Sequence, residues 1–364
     1  MDLLVPISNR TNYSKLKPIL AKLKGLDFGL IVSSSMLLEK YGAAIQDLKN
    51  DGMPIVGQVE CLLSGDSTQS MSITSGLSMI GHAQWYSHFN PKSVLITGDR
   101  FDMLSAAVSA HNMNIPILHL QGGEKSGSID NSVRDMISIC ATEHYAATDA
   151  SAFRLQTLTN SKNIYNFGCP AVEIVSSVNV GNYFTEKNIK KQFKNPLGIS
   201  DGEDYILIVV HPVTNDHESI DMSSILQASL SFNMKCVVFY PNTDAFNAEI
   251  VSSIREYGDK LILIKHAPLE DFVLFMAHAR CMVGNSSAGI RESASFGTPC
   301  VNVGNRQIFR ERNKNTVDCS TDKNEIIKAI HQSLIIKKYP IHNIYYKANS
   351  SENICNRIIN FIRG

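Results

Sequence analysis

The chain has 364 residues, enough to bury a large core and more than one core usually serves, so two domains are expected. Its 34 basic and 34 acidic residues balance, with no basic stripe or block of like charge. That pattern argues against nucleic acid and membrane surfaces and leaves a small molecule as the expected partner.

The opening MDLLVPISNR has no basic region and only a short apolar run. Neither a signal peptide nor a membrane span is expected there, and the expected location is cytoplasmic. From the N-terminus onward, short apolar runs (LLVPIS, FGLIVSS, SVLITGD, IPILHLQ, HYAATD) alternate with helix-period segments such as Ser14 to Leu23 and Phe101 to His111. Continuous apolar strands separated by helices predict a parallel sheet covered on both faces.

Residues 170 to 204, with GCPA, SSVNVGN, NPLG and SDGED, carry the turn residues expected where one domain hands over to the next. The pattern then restarts with YILIVVH, KCVVFYP, LILIKHA, RCMVGNS and PCVNVG, and with a helical segment at Leu269 to His278. The fold class expected is α/β: two Rossmann-like domains facing a central cleft, the glycosyltransferase-B architecture, with ligands at the C-terminal strand ends. The boundaries expected are 1–170 and 171–345, followed by a C-terminal helix in 346–364 that packs back on the first domain. Eight cysteines without a C-x-x-C pair read as reduced core thiols, and neither a metal site nor a cofactor is expected.

Neither the dinucleotide fingerprint nor the P-loop occurs, so a nucleotide must be held otherwise. VGNSSAGIRES, Val283 to Ser293, offers a strand end, a Gly-Ser-Ser turn and a helix start whose free N–H groups suit a diphosphate. Ser capping an ordinary helix explains the same stretch equally well. Glu292 could accept from both ribose hydroxyls, and Arg306 follows the next strand, where phosphate could meet it.

Arg10 stands just after the first strand, as a phosphate partner or a surface residue. GDRFD puts Asp99 and Arg100 at the end of an apolar strand, where Asp99 is either a helix cap or a poised acid/base. His211 ends the first strand of the second half, in HPVTNDH, where a near-neutral pKa suits proton transfer. His82, His88, His144, His278 and His331 read as ordinary helix or surface residues. YPNTD, Tyr240 to Asp244, is a polar turn at another strand end.

In family order, the landmarks NRTNYSKLKP, GDR, HLQGGEKSGSIDNSVR, GCP, HPVT, YPNTD, GNSSAGIRE and GNRQIFR resemble the hydrolysing UDP-N-acetylglucosamine 2-epimerases over nearly the whole chain. The resemblance implies conversion of UDP-N-acetylglucosamine to N-acetylmannosamine and UDP, serving sialic acid biosynthesis, by a homo-oligomer. It places Arg10, Asn242, Asp244, Ser286, Ser287, Gly289, Glu292 and Arg306 around UDP. Asp99, Gln121, Glu124, Asp130 and His211 fall at the reacting sugar, with Ser14, Lys15, Arg100 and Arg134 as further sugar contacts.

Removing the unactivated C2 proton is easier if UDP leaves at the same time, and water then adds to the glycal that forms. Such chemistry needs a base near C2 and groups that trade protons, while Gly122, Gly123 and Gly127 would let backbone approach the sugar. Several members of known activity carry Glu where this chain has Gln121, whereas others carry Gln, and an amide can orient a hydroxyl but cannot trade protons. The acid/base work therefore falls on Asp99, Asp130 and His211, with Glu124 three residues on. The same chemistry on a UDP- or GDP-linked 2,4-diacetamido-2,4,6-trideoxy sugar stays open. So do a retaining glycosyltransferase and an inactive nucleotide-sugar sensor.

Overall fold

The computed structural model describes the chain except residues 39–43, 64–66, 128, 190–196, 214–219, 242–246 and 266, and the side chain of Thr11. It divides into two compact units. The first comprises Met1–Glu124, Ile129–Glu173 and Tyr345–Gly364, and the second Lys125–Ser128 and Ile174–Ile344.

The first unit runs β1 (Leu3–Ile7), α1 (Arg10–Leu20), β2 (Phe28–Ser33), α2 (Ile45–Asn50), β3 (Ile55–Val59), α3 (Thr68–Phe89) and β4 (Ser93–Thr97). It continues with α4 (Phe101–Asn112), β5 (Ile117–Leu120), α5 (Asp130–Cys140), β6 (Glu143–Ala146), α6 (Asp149–Thr159) and β7 (Ile164–Asn166). Helix α7 (Pro170–Ser177) carries the chain across the boundary at residue 173. Among the described residues the strands form one parallel sheet in the order β3-β2-β1-β4-β5-β6-β7.

Alternation along β1 sorts the core. Leu3, Val5 and Ile7 pack with Leu16 and Ile19 of α1, whereas Leu4 points to the other face, among Tyr86 of α3, Met103 and Ala106 of α4 and Ile137 of α5. Both faces of the sheet are therefore covered, which is why its strands read as unbroken apolar runs.

The second unit contains β8 (Tyr205–Val209), α8 (Met222–Leu230), β9 (Lys235–Phe239), α9 (Asn247–Glu256), β10 (Ile262–Ile264) and α10 (Leu269–His278). Then come β11 (Cys281–Gly284), α11 (Ser287–Arg291), β12 (Cys300–Val303), β13 (Thr316–Cys319) and α12 (Lys323–Ile335). Its parallel sheet has the order β10-β9-β8-β11-β12-β13 among the described residues. Ile206 and Ile208 bury against Ile225 and Leu226 of α8 and Ile326 and Ile330 of α12, while Leu207 and Val209 face Phe275 and Met276 of α10.

After α12 the chain re-enters the first unit as α13 (Ser350–Arg363), whose Ile354, Ile358 and Ile362 join the core beside α1. Each such isoleucine contributes about 1.5–3 kcal/mol of burial. Arg357 on the same helix pairs with the buried Glu143 of β6.

Segment Lys125–Ser128 lies in sequence between β5 and α5, yet belongs to the second unit. The Gly127 N–H donates to the Arg306 carbonyl over 2.9 Å, and a Cβ at Gly127 would lie 1.8 Å from the Asn305 carbonyl oxygen. No side chain fits there. None of the eight cysteines is in a disulfide, and six of them are buried. Among the described residues, no helix is long and apolar enough to cross a membrane.

Candidate functional site

In the first unit the candidate residues gather where β4 and β5 end and α5 begins. Gly98 leaves β4 at φ 97°, and Asp99 follows. Its carboxylate does not cap the next helix: Arg100 occupies the N-cap of α4 without a side-chain cap bond, and Asp99 pairs with Arg134 instead. Arg134, expected at the sugar, is 2% exposed and also donates to the Glu124 carbonyl over 2.7 Å.

Burial opposes the Arg134 charge, but the carboxylates of Asp99, Glu124 and Asp130 outweigh it and raise the guanidinium pKa above its ordinary value. One buried cation thus gathers three of the acids named from sequence. Asp130 reaches this cluster because it starts α5, one turn before Arg134.

Gln121 follows β5 with its backbone in the left-handed region, at φ 65°, a conformation uncommon for any residue but glycine. Its N–H donates to the Tyr145 carbonyl, and its side-chain amide donates to the Cys169 sulfur over 3.0 Å. Gly123, at φ 81°, has a different reason from the one expected: a Cβ there would come within 2.3 Å of the Ser151 carbonyl oxygen.

Beneath this cluster His119 of β5 and His144 of β6 are register neighbours, both fully buried. Burial lowers His119 to about 3, with help from His144 and Arg134, and lowers His144 to about 4. His144, expected on a helix or the surface, lies instead in strand β6 and is fully buried under the helices; His82 is on helix α3 as expected, on its inward, fully buried face.

At the end of β1, Asn9 caps α1 and Arg10 opens the helix, its guanidinium Nε 3.2 Å from Asp47. Ser14 and Lys15 follow one turn later, half-buried, with the Ser14 hydroxyl on the Arg10 carbonyl. Sequence reading missed Asp102, which is fully buried in the first turn of α4. One of its oxygens lies 3.1 Å from the Ser8 hydroxyl and 3.8 Å from Arg100. The signal was present in GDRFD, where a second acid stands three residues after Asp99.

In the second unit the organiser is Asn285, also missed. Its side chain accepts from the His211 N–H over 2.7 Å and donates to the His211 carbonyl over 2.8 Å. Its own carbonyl accepts from Arg306 over 3.1 Å and from Gln307 over 3.3 Å. The ends of β8 and β11 and the turn carrying Arg306 are thereby fixed together.

Ser286 caps α11, accepting from the Ala288 N–H. That helix has only five residues, then turns through Glu292 into a 3-10 segment, so its dipole is small and local N–H groups carry any anion binding. Ser287 opens the helix, and Gly289 packs against β12, where a Cβ would meet the Cys300 sulfur at 2.5 Å. Asn242 and Asp244 lie outside the described residues.

Two units, each built on a parallel α/β sheet, one with clustered acids and one with a capped turn at its strand ends, have the glycosyltransferase-B-like fold class. The sequence pattern described as UDP-N-acetylglucosamine 2-epimerase matches residues 19–359, and the chain belongs to that family. It is 31% identical to a UDP-N,N'-diacetylbacillosamine 2-epimerase (hydrolyzing) of Legionella pneumophila, over 94% of this chain and 91% of that protein. It is 28% identical to a UDP-N-acetylglucosamine 2-epimerase of Neisseria meningitidis, over 91% and 86%. The fold is similar to the crystal structure of UDP-GlcNAc 2-epimerase from Neisseria meningitidis bound to UDP-GlcNAc, with TM-score 0.80 and 14% identity over 99% of this chain and 100% of that one.

Proposed function

We propose that the chain is a hydrolysing 2-epimerase that releases UDP from a UDP-linked 2-acetamido hexose and returns the free sugar inverted at C2. The observation that carries this reading is the convergence of Asp99, Glu124 and Asp130 on the buried guanidinium of Arg134. In the first step a carboxylate takes the C2 proton. The C–H electron pair forms the C1–C2 double bond, and the C1–O bond breaks with its electrons passing to the β-phosphate oxygen. In the second step water adds its hydroxyl to C1, and a proton enters C2 from the opposite face.

Asp99 and Asp130 are the groups assigned to proton exchange in the first unit, and His211 is the one assigned in the second. Arg134 is assigned to hold Asp99 and the Glu124 backbone at the sugar site. UDP is assigned to Ser286, Ser287, Glu292 and Arg306, with Arg10, Asn242 and Asp244; Arg306 supplies the charge a departing phosphate needs. UDP-N-acetylglucosamine is the donor that the motif order favours.

A second reading, UDP-N,N'-diacetylbacillosamine, is favoured by the 31% identity to the Legionella enzyme named for it. Incubating the protein with each donor alone and following UDP release separates the two. The donor with the larger kcat/KM is the substrate, and no UDP from either would leave a GDP-linked donor, a retaining glycosyltransferase that needs an acceptor, or an inactive sensor.

A further inference from the structure

Two buried acids of the first unit have different partners. Glu143 of β6, 1% exposed, receives two nitrogens of the Arg357 guanidinium and the Tyr145 hydroxyl, the last over 3.0 Å. That is a paired carboxylate. Asp102 of α4 is 0% exposed, and the Ser8 hydroxyl, 3.1 Å from Oδ1, is the contact its carboxyl has within hydrogen-bond range; Oδ2 has none among the described residues.

The surrounding groups supply no further donor. Arg100 Nε stands 3.8 Å from Oδ1, beyond hydrogen-bond range. Burial lowers the pKa of His82 on α3 and raises that of the Cys61 thiol after β3, so both neighbours are neutral at about pH 7. An ionised carboxylate in such surroundings is costly, because it can only accept and has about four places for donors.

The Ser8 hydroxyl decides which form is present. It lies 2.9 Å from Asn12 Oδ1 as well as 3.1 Å from Asp102 Oδ1, with a single proton to give. The amides on either side of it are each fixed in one orientation by their other bonds. Asn9 Oδ1 accepts from the Asn12 N–H over 2.9 Å, which turns Asn9 Nδ2 toward Ser8, 3.3 Å away. Asn12 Nδ2 donates to the Thr97 carbonyl over 3.3 Å, and since a carbonyl can only accept, Asn12 Oδ1 is the atom toward Ser8. The Ser8 proton therefore goes to Asn12, and the bond between Ser8 and Asp102 takes its proton from Asp102.

We infer that Asp102 faces Ser8 as a protonated carboxylic acid and, given the assignment of Asp99 to proton exchange, is a positioning residue for that group. The chain of bonds from Asp102 through Ser8 and Asn12 to Thr97 holds the backbone on both sides of Asp99: at Thr97, which ends β4, and at Asp102, in the first turn of α4. Asn12 also fills the space beside Gly98, where a Cβ would meet its Nδ2 at 2.7 Å. Kept neutral, Asp102 adds no like charge three residues from Asp99, which stays ionised beside Arg134 in the form that takes a proton.

Infrared difference spectroscopy of the full chain at about pH 7, wild type minus Asp102→Asn, reads this carboxyl directly. A protonated C=O band that shifts in heavy water is expected from the wild type and absent from the variant; a carboxylate band in its place would overturn the inference. No turnover is involved, so this result stands apart from the epimerase reading. Steady-state UDP release then tests the positioning. Asp102→Asn keeps a donor toward Ser8 and should hold kcat within about threefold of wild type with an unmoved pH profile, whereas Asp102→Ala should lower kcat by about tenfold or more while KM changes by less than about threefold. Equal losses in the two variants, an acid limb displaced in Asp102→Asn, or full activity in Asp102→Ala would each remove Asp102 from the positioning of Asp99.

Discussion

The side-chain amide of Gln121 donates to the Cys169 sulfur over 3.0 Å, tying the end of β5 to the turn before α7. A glutamine can make that bond as a donor while a carboxylate cannot, which gives the amide a positioning task in place of proton exchange. Gln121→Ala is accordingly expected to lower kcat/KM by about tenfold or less, whereas Asp99→Asn and Asp130→Asn each remove the factor of about 10²–10⁴ typical of acid/base catalysis. Steady-state UDP release from the three variants checks the ordering; a Gln121→Ala loss as large as either aspartate's would give Gln121 a direct part in the chemistry.

Arg134 is nearly inaccessible and holds Asp99 from below, so removing it strands a carboxylate. Arg134→Met should destabilise the first unit by about 3 kcal/mol, and the double variant with Asp99→Asn should recover part of that loss. The chain's single tryptophan, Trp85, sits on α3 and reports this unit alone in a urea melt followed by fluorescence. Equal melts for wild type and Arg134→Met would mean the pair contributes nothing.

Gly127 has no room for a methyl group beside the Asn305 carbonyl, and its N–H holds the carbonyl of Arg306. Gly127→Ala should therefore displace the turn that presents Arg306 and weaken UDP binding by roughly tenfold, about 1.4 kcal/mol. Arg306→Ala should weaken it by about 1.5–3 kcal/mol, the range for a charged hydrogen bond. Titration calorimetry with UDP measures both. Unchanged affinity in both variants would detach this turn from the nucleotide.

Much of this arrangement was legible in the sequence, and the misses have physical causes. Buried parallel strands such as β1 and β8 show as apolar runs, and α10 begins and ends as its spacing predicts. Strands β3, β7 and β13 did not stand out: each lies at or near a sheet edge with partly exposed positions, which breaks the run. Helix α3 lacks the polar face that periodicity detects. The excursion at Lys125–Ser128 is set by one hydrogen bond and one close approach, and local spacing encodes neither. The acids of the site were readable by type and motif. Their gathering on Arg134, and the grip of Asn285 on His211, come from residues 35 and 74 positions apart.

Three buried histidines, His82, His119 and His144, make the first unit acid-sensitive, burial lowering the pKa of each. In the unfolded chain each ring protonates near pH 6.5, but in the folded unit protonation waits until about 4 for His144 and about 3 for His119. The unfolded state therefore binds more protons in that window. Stability is full above pH 6.5 and falls as the pH drops, by about 1.4 kcal/mol per pH unit for each ring. Urea melts followed by Trp85 between about pH 7 and pH 5 should show this slope, and His144→Gln should reduce it by about a third. A slope unchanged in His144→Gln would assign the acid sensitivity to other groups.

Turnover of the donor in heavy water, with NMR of the products, reads out whether UDP departs and water replaces it at an inverted carbon. Free UDP is expected together with a reducing 2-acetamido sugar of inverted C2 configuration carrying one deuterium at C2. A C2-inverted sugar still joined to UDP, or a released sugar retaining protium at C2, would contradict it.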